Sequence, residues 1–152
     1  MIRFQILGTP VGKGRPRATT MKKKDGSSFV RMYTPGRTVQ AENSVLAQAL
    51  PYKPDAPLTC PLYMRISAYI AIPSSFTKAK RMAASEGAIY PTGKPDADNL
   101  GKLICDALNG VFYADDKQIV TLYIYKRYTA LAARTVVEIR DMDDPLVLEV
   151  AL

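Results

Sequence analysis

The stretch "KPDADNLGKLICDALNGVFYADDKQI", Lys94 to Ile119, decides how this chain is read. Leu100, Leu103, Ile104, Ala107 and Leu108 recur at i, i+3, i+4, i+7 and i+8, the apolar stripe of a short amphipathic helix. Pro95 disfavours helix at Lys94, so the expected helix starts at Asn99 with Asp98 as its N-cap and stops at Asn109-Gly110. Asp98, Lys102 and Asp106 follow at intervals of four and share the polar face. A helix of about ten residues spans only ~15 Å. "VFYADD" then returns the chain toward a strand beginning near Gln118, which brings Asp115 and Asp116 back beside Asp96 and Asp98.

Taken singly, these residues have ordinary explanations. Asp98–Lys102–Asp106 reads as a helix ion-pair ladder worth a few tenths of a kcal/mol per pair, and Asp115-Asp116 as a turn. Taken together, the aspartates repel one another unless a cation offsets their charge. Mg2+, with Mn2+ as substitute, suits such a site because it takes oxygen ligands, keeps several waters and uses few protein carboxylates. Asp96, Asp98, Asp115 and Asp116 are the candidate metal ligands. An EF-hand does not fit: with Asp96 as position 1, Leu100 falls at position 5 and Ala107 at position 12, where ligands are required. "GTPVGKG" likewise misses a phosphate loop, with its glycines one residue too close and Gly14 where Ser or Thr belongs.

The rest of the composition narrows the chemistry. The 152 residues fit one domain, taken as 1–152, and at 47% hydrophobic the chain is globular. Formal net charge +7 favours polyanionic partners, nucleic acid first. The chain has no histidine, which removes Ser-His-Asp and Cys-His catalysis and His-ligated metals. Carboxylates, lysines and a hard metal ion remain. Cys60 and Cys105 imply no disulfide framework or zinc site and read as reduced thiols of a cytoplasmic protein. No apolar run is long enough to span a membrane, and the N-terminal apolar stretch is too short for a signal peptide.

Outward from the acidic segment, Ile2 to Leu7 reads as a first strand and residues 12–28 as a mobile basic loop. A helix capped by Thr38 runs to about Leu50, before Pro51. Leu62 to Ile72 alternates as a strand, and Ser74 or Ser75 caps a helix stopped at Gly87. Gln118 to Tyr128 and Arg134 to Arg140 are two strands joined by a short turn, and Leu146 to Val150 a short last one. This order predicts an α+β fold with one mixed β-sheet and helices packed on it.

The central stretch, with "PVGKGRPRAT" and "YTPGRTVQAE" upstream, resembles the RusA-type Holliday junction resolvases common in phages and prophages. The resemblance covers about Pro10 to Ile119. It implies a homodimeric, Mg2+-dependent endodeoxyribonuclease of the bacterial cell that resolves four-way DNA junctions by paired symmetric nicks. By motif position, Asp96, Asp98 and Asp116 resemble the catalytic metal-binding aspartates, Lys102 the catalytic lysine, and Asp115 a weaker neighbour. The pattern departs at Lys94-Pro95, where some relatives carry an aromatic or arginine that pries the junction open. Tyr90 is a candidate substitute, although its ordinary reading is a packed loop residue.

Phosphodiester hydrolysis needs a nucleophile and relief of charge in the transition state, which a metal and a lysine supply. Basic residues must then hold DNA that the aspartates would repel. Lys13, Arg15, Arg17, Lys22, Lys23, Lys24, Lys94, Lys126 and Arg127 are the candidate contacts, each adding about 0.9 to the log–log salt slope. Two other readings stay open: a non-catalytic DNA-binding recombination accessory protein, and a metal-dependent nuclease or phosphatase with another substrate.

Overall fold

The computed structural model describes residues 1–148. In chain order its elements are β1 (Ile2–Leu7), β2 (Arg17–Lys22), β3 (Ser28–Tyr33), α1 (Gly36–Ala49), β4 (Leu62–Ala71), α2 (Lys78–Ser85), α3 (Ala97–Leu108), β5 (Ile119–Thr129), β6 (Arg134–Asp141) and α4 (Pro145–Leu148). Four strands form one mixed sheet in the order β1-β6-β4-β5. β4 and β5 run parallel, so the chain between them must cross over, and α2 and α3 lie in that crossover. The short turn after β5 makes no hairpin. β6 pairs instead with the other side of β4 and with β1, antiparallel to both. The fold is α+β with a mixed sheet, as the sequence predicts.

Strand alternation builds the core. Leu62, Met64, Ile66 and Ala68 of β4 point to one face with Phe4, Ile6, Val137 and Ile139. Leu100, Leu103, Ile104, Ala107 and Leu108 of α3 and Val45 and Ala49 of α1 close over that face. At Gly101 the helix comes so near β5 that a Cβ would lie 2.5 Å from Ile124 Cδ1. Below α3, Tyr113 is fully buried and its hydroxyl donates to the Cys105 carbonyl at 2.7 Å. No helix among the described residues is long and apolar enough to cross a membrane.

Several local expectations are corrected. α3 starts at Ala97 with Asp96 in the N-cap position, which places Asp98 inside the first turn. A carboxylate there is favoured by the helix dipole as well as at the cap. α1 starts after Pro35, so Thr38 lies within its first turn and is buried. Thr77, not Ser74 or Ser75, caps α2 by accepting from the Lys80 amide. The expected last strand is helical over Pro145–Leu148, started by Asp144 Oδ1 accepting from the Leu146 amide, while residues 149–150 lie outside the described ones. The basic loop is an antiparallel ribbon, β2 against β3, with every residue exposed. Its turn holds Asp25-Gly26, with Gly26 at φ 85°, and Asp25 Oδ1 accepts from the Ser27 amide. An Asp-Gly pair between two strand-like runs is a hairpin signal.

Candidate active site

The start of α3 is walled by the loop after β1. The Lys13 amide donates to the Asn99 carbonyl at 2.8 Å, and the Gly14 amide donates to Thr38 Oγ1 at 3.1 Å. Glycine is required for this seating. A Cβ on Gly12 would stand 3.1 Å from Pro95 Cβ, and one on Gly14 only 2.7 Å from Thr38 Oγ1. The "GKGR" segment is therefore fixed against α3 and α1 rather than mobile. Its side chains and the Lys94-Pro95 turn enclose an open groove of about 620 Å³, whose walls include Arg15, Arg37, Lys94, Asp96 and Asn99.

Asp96 thus faces a groove that also carries four cations, Lys13, Arg15, Arg37 and Lys94. One of these, Arg37, escapes the sequence reading, although it lies in the quoted "YTPGRTVQAE" motif. Asp96 Oδ2 accepts from Asn99 Nδ2 at 3.3 Å. Asp98 pairs loosely with Lys102, Oδ2 to Nζ 3.7 Å, with both side chains about two-thirds exposed at 67% and 66%. Such a pair is worth at most a few tenths of a kcal/mol and leaves both groups free to engage a ligand. The ladder stops there. Asp106 pairs instead with Lys13, whose ammonium also lies 3.3 Å from Glu42. Lys13 therefore clamps the glycine loop to α1 and α3.

Asp116 begins a single turn of 3-10 helix, Asp116–Gln118, and is exposed. Burial pushes the Cys105 thiol up to about 11, and the nearby Asp116 charge pushes it the same way. Cys105 follows Asp98 by seven residues and so lies on the same flank of α3. Lys102 stands between them on that flank. Asp115 has a different task. Its Oδ1 accepts from the Lys117 amide at 3.0 Å while its own amide donates to Gln118 Oε1 at 2.8 Å, a reciprocal cap. The Lys117 amide, with the Lys117 ammonium, holds the Asp115 carboxyl below the usual carboxylate range. Gln118 Nε2 in turn donates to the Leu58 and Cys60 carbonyls. Among the described residues, no three His, Cys, Asp or Glu side chains lie close enough together to hold a metal ion. Asp96 and Asp98 share the start of α3, and Asp116 does not join them into one cluster within a single chain.

The remaining basic candidates divide. Lys126 and Arg127 lie near the C-terminal end of β5. Lys126 Nζ donates to the carbonyls of Gly93 at 2.8 Å and Pro95 at 3.0 Å, so it braces the turn that presents Lys94. The Arg127 guanidinium lies 4.4 Å above the ring of Tyr90. Arg17, Lys22, Lys23 and Lys24 are on the ribbon and its turn, fully exposed.

The sequence profile described as endodeoxyribonuclease RusA matches residues 8–140. This chain belongs to the RusA family. The matched region takes in the glycine loop, the ribbon, the groove, α3 and three of the four sheet strands, leaving out β1. The uncharacterized protein YqaN of Bacillus subtilis (strain 168) is 35% identical over 130 residues, covering 84% of this chain and 88% of its own length. The family is one of endodeoxyribonucleases, which supports a nuclease, and the groove beside Asp96 brings anionic and cationic groups together.

Proposed function

We propose that the protein is a Mg2+-dependent endonuclease that resolves four-way DNA junctions by paired nicks, working as a homodimer. The observation that carries this reading is the groove in which exposed Asp96 faces Arg15, Arg37 and Lys94. Cations beside a carboxylate suit a phosphate that must be brought next to a metal ligand. The donor set fits the ion. Mg2+ is commonly held by one or two carboxylates plus waters and substrate phosphate, without an all-protein cage. Asp96 and Asp98 are oxygen donors, exposed, and at the positive end of a helix.

In this reading Asp96 and Asp98 hold the ion, and Asp116 is the third carboxylate, able to serve the same site in the neighbouring copy of a dimer. Such an ion, held there, would neutralise charge on the attacked phosphate and lower the pKa of water. Lys102 stabilises charge on the leaving oxygen. Arg15, Arg37 and Lys94 hold the flanking phosphates, and the ribbon residues Arg17, Lys22, Lys23 and Lys24 hold an arm of the DNA. Asp115 fixes the turn that presents Asp116.

The test is nicking of a synthetic four-way junction against linear duplex with Mg2+, with Mn2+ and with chelator. Metal-dependent, symmetric cuts in the junction alone are expected. Binding without cutting in either metal would favour the accessory-protein reading. Equal cutting of linear duplex would assign another nuclease substrate.

A further inference from the structure

α1 and α3 cover one face of the sheet. The other face is formed by alternate residues, in register across the strands. One row reads Arg3, Glu138, Arg65 and Tyr123 from β1 to β5, and the row nearer the β5 end reads Arg134, Tyr69 and Arg127. The open face of a sheet is ordinarily a mixture of solvated polar residues. Here arginines and tyrosines alternate in contact. The Arg65 guanidinium lies 5.7 Å from the Tyr123 ring and 5.1 Å from the Tyr125 ring. Arg127 lies 5.4 Å from Tyr125 and 4.4 Å from Tyr90. Arg134 stands 4.5 Å above Tyr69.

A continuous series of ring and cation therefore runs from Tyr90 through Arg127, Tyr125 and Arg65 to Tyr123. Its charges are answered only in part, Arg65 by the field of Glu138 beside it. The acid of this face, Glu138, is paired with Arg140 at 2.6 Å, and Arg65, Arg127 and Arg134 have no ion pair among the described residues. Arg3, Arg65, Tyr69, Tyr125 and Glu138 line a polar hollow of about 110 Å³. Arg65, Tyr123 and Tyr90 remain exposed, the two tyrosines at 51% and 54%. Rings held by stacked guanidiniums are pre-oriented, so little side-chain freedom is lost when a ligand settles on them.

This chemistry matches one kind of partner. Base rings stack on aromatic faces while arginines engage the intervening phosphates, which is how sequence-tolerant single-strand sites work. Paired bases of a duplex are hidden in the stack. We propose that this face binds unpaired DNA, with bases on Tyr123 and Tyr125 and phosphates on Arg65 and Arg127. The proposal rests on the nucleic-acid reading above, and it extends that reading to a surface separate from the groove, one that needs neither metal nor cutting.

The test uses the whole protein in metal-free buffer with short oligo-dT, read by fluorescence polarisation. It is joined by photo-crosslinking of the unaltered protein to oligo-dT carrying 5-iododeoxyuridine. Crosslinks at Tyr90, Tyr123 or Tyr125 are expected. Tyr123→Ala combined with Arg65→Gln should weaken single-strand binding about tenfold or more, with duplex binding little changed, while Tyr123→Phe keeps its affinity. Crosslinks confined to residues 12–37, or undiminished binding by the double variant, overturn the proposal. So does a double variant that turns a dimer into a monomer without changing single-strand affinity, because the face then joins two copies. Junction nicking is measured separately. If nicking is absent but the crosslinks hold, the resolvase reading falls and this one stands.

Discussion

Helix α3 and the β2–β3 ribbon carry opposite charges and are held in opposite ways. α3 buries Leu100, Leu103, Ile104, Cys105, Ala107 and Leu108, and its acidic flank is positioned because the rest of it cannot move. The ribbon has no buried residue. An isolated two-stranded ribbon is marginal in water, so its cations gain their position from what they bind. The contrast explains why the basic residues of the chain are not equivalent. Lys13 and Lys126 lie near α3 and are bonded inside the protein, to Asp106 and Glu42 and to the Gly93 and Pro95 carbonyls. Lys22, Lys23 and Lys24 are free for an external polyanion. Net charge reports the second kind and says nothing of the first.

The largest expected effect lies on the α3 side. Asp98→Asn should lower junction nicking by more than ~100-fold, since partners one step removed from a metal already cost 10–100-fold. Metal-free junction binding in a gel shift should persist or tighten, because a repelling charge is gone. Lost binding in a folded variant would make Asp98 structural and remove the contrast with the ribbon. Next comes packing. Gly101→Val should destabilise by about 1–3 kcal/mol, as its side chain meets Ile124. Urea unfolding showing no change would mean that α3 is less rigidly seated than its burial indicates.

The ribbon should respond in affinity alone. Replacing Lys22, Lys23 and Lys24 with alanine should flatten the log–log salt dependence of DNA binding by up to about 3 units, with unfolding midpoint unchanged within ~0.5 kcal/mol. A stability loss comparable to that of Gly101→Val would show the ribbon to be part of the core. Lys13→Ala should do the reverse. Its clamp is lost, stability falls by up to ~1 kcal/mol for a partly exposed pair, and the salt slope stays as it was. A slope that fell by about 0.9 would place Lys13 on DNA instead.

The smallest effect is in pH. Without histidine, the melting temperature should be nearly flat between about pH 5.5 and 7.5. Asp115, Asp141 and Asp144 have carboxyls held low by the amide hydrogen bonds they accept. A depressed folded pKa gives stability that is present above the unfolded value of about 3.9 and lost as pH falls through the lower folded values. A shift above ~2 °C within the flat window would show that another group titrates on folding.

The α3 stripe was legible because helical periodicity and burial are the same fact seen twice. The ribbon was partly legible in Asp25-Gly26, yet the lysine run beside it reads as loop. The ladder failed at Asp106 because spacing puts Lys102 within reach but cannot reveal a lysine arriving from elsewhere in the chain. The same holds for Arg37, which joins Asp96 only when α1 and α3 pack, and for the arginine–tyrosine face, whose members come from separate strands.

The sequence alone determined the α+β class, the helix after Pro95, and the family, because these depend on local order: which residue follows which, at what spacing. Tertiary structure decided which charges are free. It clamped Lys13 and Lys126, occupied Asp115 in a turn, left Asp96 open beside Arg15 and Arg37 and Asp98 loosely paired with Lys102, and kept Asp116 outside a single-chain cluster. The physical reason is that a charge is answered by whatever lies within a few ångströms of it. In a folded chain those neighbours are set by the packing of the sheet and helices, and sequence distance does not measure it.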